Sequence, residues 1–463
     1  MRNLALAFAL VAVVPLSASA AELVAAARIP SDARDSRNET LGGIGSGMAL
    51  VPGSWAKNGS GYRARLAMLP DRGWNTEGTS DYQARLQMFD IVLTPKSGDG
   101  HEDGLLLSYR KTLLLSDADG KPTTGLDPAA IRAAKGAMPE LPAAANGRVS
   151  MDSEAVALLP GGSAWVGDEY GPYIYRFDKK GRMRGAIRPP DAFIPIRQGK
   201  ESFSANSPPH GEHYDLGNPD SGRQDNQGLE GMGLTSDHKY LFAMNQSALV
   251  QDLDPAAVKI SRRHVRLLQY DLSGGAPRLA HEYVIALPLY DGDLVAAQSE
   301  LLVLDDHRLL LLCRDSGGGF AGKRDASHFR SVMMVNLSGA TDIAGRFDGR
   351  GESIAPKGVL RPEIVSAGLT TVLDMNDNAQ LGRFGLHNGA PDDSHDLYEK
   401  WESMALAPAL DPKAADDFFL FIGSDNDFIT QHGMMAGKPY ADGSGANVDS
   451  LILVYRVTLG RGS

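Results

Sequence analysis

The sequence predicts an all-β fold, a β-propeller formed by one domain over residues 21–463. Three observations carry that expectation. A short strand motif led by a small or acidic residue returns five times along the chain. Each copy is followed by a turn and a second apolar run, and a third run then ends near Asp or Asn in most copies. No Gly/Ser linker separates the copies. A meander of three or four antiparallel strands cannot bury both faces alone, but it can when packed radially against copies of itself. A sandwich also has recurrent turns, yet it gives no reason for an acid to return at one position.

Taken in chain order, the first element is a leader. Arg2 supplies a positive start, Leu4 to Leu16 is almost wholly apolar, and Ala18-Ser19-Ala20 has the A-x-A form of a cleavage site. Residues 1–20 are therefore expected to be a signal peptide, with Ala21 as the mature N-terminus. The run is short for a membrane span and contains Pro15. Nothing later approaches ~18 uninterrupted apolar residues, so no membrane span is expected after cleavage. The expected location is periplasmic or secreted. Cys313 is the single cysteine, so no internal disulfide is possible; within Leu309-Leu310-Leu311-Leu312-Cys313 it reads as a small buried hydrophobe.

The five copies begin at Gly45-Ser46-Gly47, Ser153-Glu154-Ala155, Leu229-Glu230-Gly231, Ser299-Glu300-Leu301 and Trp401-Glu402-Ser403. Turns such as Pro160-Gly161-Gly162 and Asp305-Asp306-His307 then lead into second strands, for example Tyr240 to Met244 and Phe418 to Ile422. Third strands include Arg85 to Asp90, Ile174 to Asp178, Arg266 to Asp271, Val332 to Asn336 and Leu451 to Arg456. The spacing is uneven, with long gaps near 94–149, 189–226 and 339–397, read as loop insertions on one rim. A sixth blade is expected around 357–388, from Gly358-Val359-Leu360 and Leu369 to Leu373, which favours six blades, with the five visible copies alone as the alternative.

The balance of charge limits the partners. Of 463 residues, 46 are Lys or Arg and 57 are Asp or Glu, a net charge of -11. A nucleic-acid partner needs a basic face and is not expected. A small anionic substrate remains compatible, because a bound cation inverts the local field. The protein is expected to be a monomer.

The repeat also places chemistry. A Glu opens the first strand in four copies, and an acid or amide ends the second strand: Asp71, Asp168, Asn245, Asp315 and Asp425. Antiparallel neighbours bring the start of one strand beside the end of the next, which places Glu154 near Asp168, Glu300 near Asp315 and Glu402 near Asp425. With the first strands innermost, these groups converge on one channel mouth. Crowded carboxylates repel unless a cation joins them, and calcium takes 6–8 oxygen ligands in flexible geometry. The expected metal ligands are thus Glu154, Glu230, Glu300, Glu402, Asp168, Asp315 and Asp425, with Ca2+ or another divalent ion as cofactor. The competing reading is that each Glu caps backbone N–H groups or pairs with Arg72, Arg314 or Arg223.

The stretches Ser153 to Pro160, Trp165-Val166-Gly167-Asp168-Glu169-Tyr170-Gly171-Pro172, Asn226 to Gly231 and Ser424-Asp425-Asn426-Asp427-Phe428 resemble the phytase-like family, "esterase-like activity of phytase". So do Leu41 to Gly47 and Asp71-Arg72-Gly73. The resemblance spans roughly 40–457 and implies an exported bacterial propeller. With the acidic rim, it suggests a metal-dependent phosphoesterase acting on a small phosphorylated substrate. Glu230 and Glu402 are the candidate catalytic residues, and Arg72 and Arg314 the candidate substrate-binding ones, since guanidinium matches phosphate bidentately. The alternatives are a calcium-dependent lactonase or esterase and a non-catalytic binding propeller with a structural ion. Other motifs carry less. His210-Gly211-Glu212-His213 lacks the H-E-x-x-H pattern, the loop at Asp374 lacks the glycine and terminal Glu of an EF-hand, and no G-x-S-x-G elbow is present.

Overall fold

The computed structural model describes residues 21–96, 104–136 and 138–460. The expected signal peptide, 1–20, lies outside the described residues. Five antiparallel sheets of at least four strands follow one another around an axis. The first blade runs from its inner strand Gly47–Leu50 through Gly61–Leu69 and Arg85–Leu93 to Leu105–Leu114. The second comprises Ser153–Leu158, Ala164–Asp168, Ile174–Phe177 and Met183–Ile187, and the third Leu229–Leu234, Tyr240–Asn245, His264–Asp271 and Arg278–Ala286. The fourth comprises Ala297–Val303, Arg308–Arg314, Arg330–Asn336 and Gly368–Asp374. The fifth takes Trp401–Pro408, Asp417–Ser424 and Ser450–Thr458, and is completed by Glu22–Ile29 from the start of the chain. The outermost strand of the last blade thus closes the ring by pairing the two ends of the sequence, with Ala27 opposite Ile452.

The propeller has five blades, not six. Leu369 to Leu373 belong to the outer strand of the fourth blade, and Gly358 ends a short 3-10 turn instead of starting a strand. The insertions also divide differently from the expectation. Most cluster on the rim where the inner strands begin, but residues 337–367 join two outer strands on the opposite rim. This segment folds back along the third blade, where Ile343, Ile354 and Ile364 pack on Val284.

Packing explains the ring. Consecutive inner strands lie side by side all the way round, so each blade buries both faces against its neighbours. Five apolar layers result, one between each pair of blades; that between the third and fourth holds Phe242, Leu267, Leu309 and Cys313. Burying each such Leu or Phe contributes about 1.5–3 kcal/mol. The inner strands are rich in Ala, Gly and Ser because five of them crowd the axis. A Cβ on Gly231 would sit 3.0 Å from Leu301 N and 3.2 Å from Glu300 C, so any larger residue there would push the third and fourth inner strands apart by a few tenths of an ångström. Cys313 is fully buried, as expected. Among the described residues no helix is long and apolar enough to cross a membrane.

Candidate functional site

In the second to fifth blades the start of the inner strand contains an irregularity that sets one side chain out of register. In the second blade Ser153 pairs with Asp168 and Ala155 with Gly167, leaving Glu154 as the extra residue of a β-bulge. Glu230 is extra between Leu229 and Gly231, and Glu402 between Trp401 and Ser403. In the fourth blade Gln298 and Glu300 are paired, so the extra residue is Ser299. Register therefore makes Ser299 the counterpart of Glu154, Glu230 and Glu402, with Ser46 in the first blade. Glu300 lies one position on and turns between blades, where its carboxyl accepts from Leu301 N (2.7 Å) and Met232 N (3.3 Å).

The ends of the second strands shift similarly. Counting two residues past the partner of the residue that follows the bulge position (Leu69, Gly167, Met244, Leu312 and Gly423) gives Asp71, Glu169, Gln246, Arg314 and Asp425 as equivalents. Arg314 meets Glu402, Asp71 meets Glu154 and Asp425 meets Ser46, in each case the bulge-position residue of the following blade, whereas Gln246 donates to Glu230 of its own blade. Asp168 and Asp315 fall outside this circle. Asp168 accepts from the backbone N–H groups of Asp152 (2.8 Å) and Gly171 (3.1 Å) and from the Tyr175 hydroxyl (3.2 Å). Asp315 is held by Arg324 (2.7 Å), Ser327 (2.7 Å) and His328 N (2.8 Å). Both are fixing loops, which corrects the expectation that they join the central cluster.

The structure thus brings Glu154, Glu230, Glu402, Asp425, Arg72 and Arg314 together and leaves Glu300, Asp168 and Asp315 apart. It adds Asp71, Asp152, Glu169, Lys400 and Asp427. Asp152 and Lys400 both lie two residues before a bulge, and Glu169 one residue beyond Asp168, positions that only the register reveals. Lys400 Nζ sits 2.7 Å from Asp427, 3.0 Å from Asp425 and 3.4 Å from Glu402. Arg72 pairs with Asp152 at 2.5 Å, and Arg314 with Glu402. These contacts realise the ion-pairing alternative for part of the cluster. They leave eight carboxyls beside three cations.

The surplus acid shows in the titration. Burial, then the Asp425 charge, raises Asp71 well above the usual carboxylate range. Burial also raises Glu154, with Glu230 and Asp152 adding to it, and raises Glu230, with Glu169 and Glu402 adding to it. Glu169 is pushed up to about 8 by burial and by Asp152, and Asp425 to about 6 by burial despite Lys400. Burial works against Asp427 too, but the Lys400 ammonium and the Tyr398 hydroxyl hold it below its ordinary value.

Several oxygens accept no hydrogen bond. Asp152 Oδ1 and Glu230 Oε2 are buried without one, Glu402 Oε2 has only the Lys400 ammonium at 3.4 Å, and no hydrogen bond or ion pair reaches the Glu154 carboxyl from any described residue. Asp71, Asp152 and Glu154 each present an oxygen within 4.8 Å of the others, and so do Asp71, Asp425 and Asp427. The second triad already holds Lys400. The first has only Arg72, on one oxygen of Asp152, and is the better fit for a hard cation. Behind the cluster, Asn426 Oδ1 accepts from Gly43 N and Phe428 N, while its Nδ2 donates to Val448 O. It fixes a turn in which Asp427 and Phe428 are both left-handed (φ 49° and 56°), costing about 1–3 kcal/mol each. His210 stacks on Trp74 at 4.5 Å, away from any metal-binding group of acids.

Comparison with known proteins agrees with the motifs. Residues 61–428 match the family described as "Phytase-like: Esterase-like activity of phytase". A protein of Arthroderma benhamiae described as "Uncharacterized secreted protein" is 40% identical over 449 residues, covering 89% of this chain and 87% of the relative. Among solved structures, a luciferin-regenerating enzyme is similar at 9% identity and a TM-score of 0.31, over 90% of this chain and 92% of that one. A gluconolactonase of Xanthomonas campestris is similar at 10% identity and a TM-score of 0.25, over 84% and 90%. Both structural likenesses are too distant to bear on function.

Proposed function

This chain belongs to the phytase-like family, and from that membership and the rim geometry we propose that it is an exported hydrolase using a divalent cation, Ca2+ first, at the channel mouth. The observation that carries the reading is the group Asp71, Asp152 and Glu154, whose oxygens converge while Glu154 and one oxygen of Asp152 lack any partner. Each of the three carboxylates offers one converging oxygen, hard donors of the kind calcium takes, with water to complete the shell. A cation there would neutralise a phosphoester and lower the pKa of a bound water. Glu230 is the candidate for moving the proton: it is buried, keeps Oε2 free, and is oriented by Gln246, which donates to Oε1 at 2.7 Å. Arg314 and Lys400 fix Glu402, which makes it a positioning group. Arg72 orients Asp152 and is the candidate substrate contact beside it. Export is supported by the leader-like start of the sequence and by the secreted relative.

A second reading is a binding propeller with a structural ion. It is favoured by the burial of the site, since Glu154, Arg72 and Arg314 are 7%, 7% and 8% exposed. One experiment separates the two. Calcium is titrated into chelator-treated protein by calorimetry, and turnover is followed on a panel of chromogenic phosphoesters. Binding that Asp71→Asn with Glu154→Gln abolishes, together with chelator-sensitive turnover, supports the hydrolase. Binding without turnover supports the structural ion, and no response to calcium, manganese or magnesium overturns both.

A further inference from the structure

A second charged feature lies on the same rim and belongs to no part of the cluster above. It is a cleft of about 660 Å3 walled by Lys259, Arg262, Tyr290, Lys323, Arg324 and His328, with Asp291 and Glu399 as its acids. Its walls come from rim loops of the third and fourth blades. Ser316 and Gly317, just past Arg314, and Glu399, next to Lys400, also line it and join it in sequence to the cluster.

The cations are unevenly satisfied. Arg324 is paired with Asp315, and His328 with Asp291. Glu399 accepts from Gly317 N. Lys259 and Lys323 are exposed and have no ion pair with any described residue. Arg262 has no carboxylate partner either; its Nη2 donates only to Val295 O at 3.4 Å, and its Nε is buried with no hydrogen bond. Three uncompensated cations thus face one cleft on a protein of net charge -11. A half-buried guanidinium with no carboxylate partner and an unfilled Nε is costly to retain unless something fills its donors, and a planar fork flanked by two ammonium groups matches a tetrahedral oxyanion.

We propose that this cleft binds a phosphoryl group of a small molecule, with Arg262 as the bidentate contact and Lys259 and Lys323 closing on it. The proposal deepens the hydrolase reading, on which it rests for the identity of the substrate. A phosphorylated substrate would be anchored in the cleft by one phosphoryl group while another part of it reaches the channel mouth past Arg314. Binding in the cleft itself requires no metal.

The test uses the mature full-length chain in excess chelator, with inorganic tripolyphosphate as the probe and calorimetry as the readout. One site is expected, weakening as salt rises. Lys259→Gln with Lys323→Gln should lower affinity by about tenfold or more without changing the melting temperature, because both side chains are exposed. Lys111→Gln with Lys179→Gln, in a basic cleft on the opposite rim, should leave affinity unchanged. Absence of binding by the unaltered chain, or equal loss in both double variants, would overturn the proposal. Loss of the calcium response with tripolyphosphate binding intact would count against the metal reading alone.

Discussion

In chelator, the stability of this protein should fall as pH rises from about 5 to about 8, and Glu169 should be a main reason. The side chain is fully buried near Asp152, and its ionisation moves from an ordinary 4.5 to about 8 on folding. Between those values the folded protein holds a proton that the unfolded chain has released. The stabilisation is complete below about pH 4.5 and is lost as pH rises through about 8. One such proton is worth about 1.4 kcal/mol per pH unit, or about 5 kcal/mol across the interval. Asp71, Glu154, Glu230 and, on the third blade, Glu282 are raised too and act in the same direction. His264, lowered by burial, opposes them through one proton below about pH 6.5. Carboxyls held low, such as Asp35 and Asp315, matter only in more acid solution. The assay is urea unfolding in chelator at a series of pH values, comparing the unaltered protein with Glu169→Gln. Glutamine imitates the protonated acid and keeps the oxygen that accepts from Gly228 N. Its slope should be shallower by about 1.4 kcal/mol per pH unit, and calcium should flatten the slope of the unaltered protein. Equal slopes, or stability rising with pH in chelator, would refute the argument that the cluster is overfilled with acid.

Two further outcomes follow from the rim. Arg314→Met leaves Glu402 buried with only the Lys400 contact at 3.4 Å, and should cost about 3–5 kcal/mol in urea unfolding, most of it regained on adding Glu402→Leu. Gly45→Ala places a Cβ 2.0 Å from the Ser424 carbonyl oxygen and 2.3 Å from Asp425 N, forcing the first and fifth blades apart. It should lower the melting temperature and weaken calcium binding together.

The blades were legible because each repeats the order of turn, strand and turn that a radial sheet needs. The blade count was not, because the missing fourth strand of the last blade is Glu22–Ile29, more than 400 residues from its partner Ser450–Thr458 and outside the repeat pattern. The acids were legible as a set but not in register. Ser299-Glu300 copies Ser153-Glu154 in sequence, yet the bulge falls on Ser299 in one blade and on Glu154 in the other. A bulge displaces a side chain by one residue without changing composition, so no reading of residue types could place it. For the same reason Asp168 stood in for Glu169, and Asp315 was given the ring position that belongs to Arg314.

Corrected for register, the ring is a polarised circuit and not a uniform collar of acids. The first three blades contribute Asp71, Asp152, Glu154, Glu169 and Glu230, and Arg72 is the sole cation of the cluster from that side. The fourth and fifth contribute Arg314 and Lys400 along with Glu402, Asp425 and Asp427, and there every acid is paired. Ser46, Gln246 and Ser299 are the neutral places where the fivefold pattern breaks. A symmetric ring of five acids would bind a cation on the axis, equidistant from all blades. This one concentrates unpaired carboxylate oxygen toward the second blade and positive charge toward the fourth, on the side of the Arg262 cleft. A phosphoester needs a cation on one side of its phosphorus and donors for its remaining charge on the other, and that is the asymmetry which the serine and arginine substitutions in the repeat create.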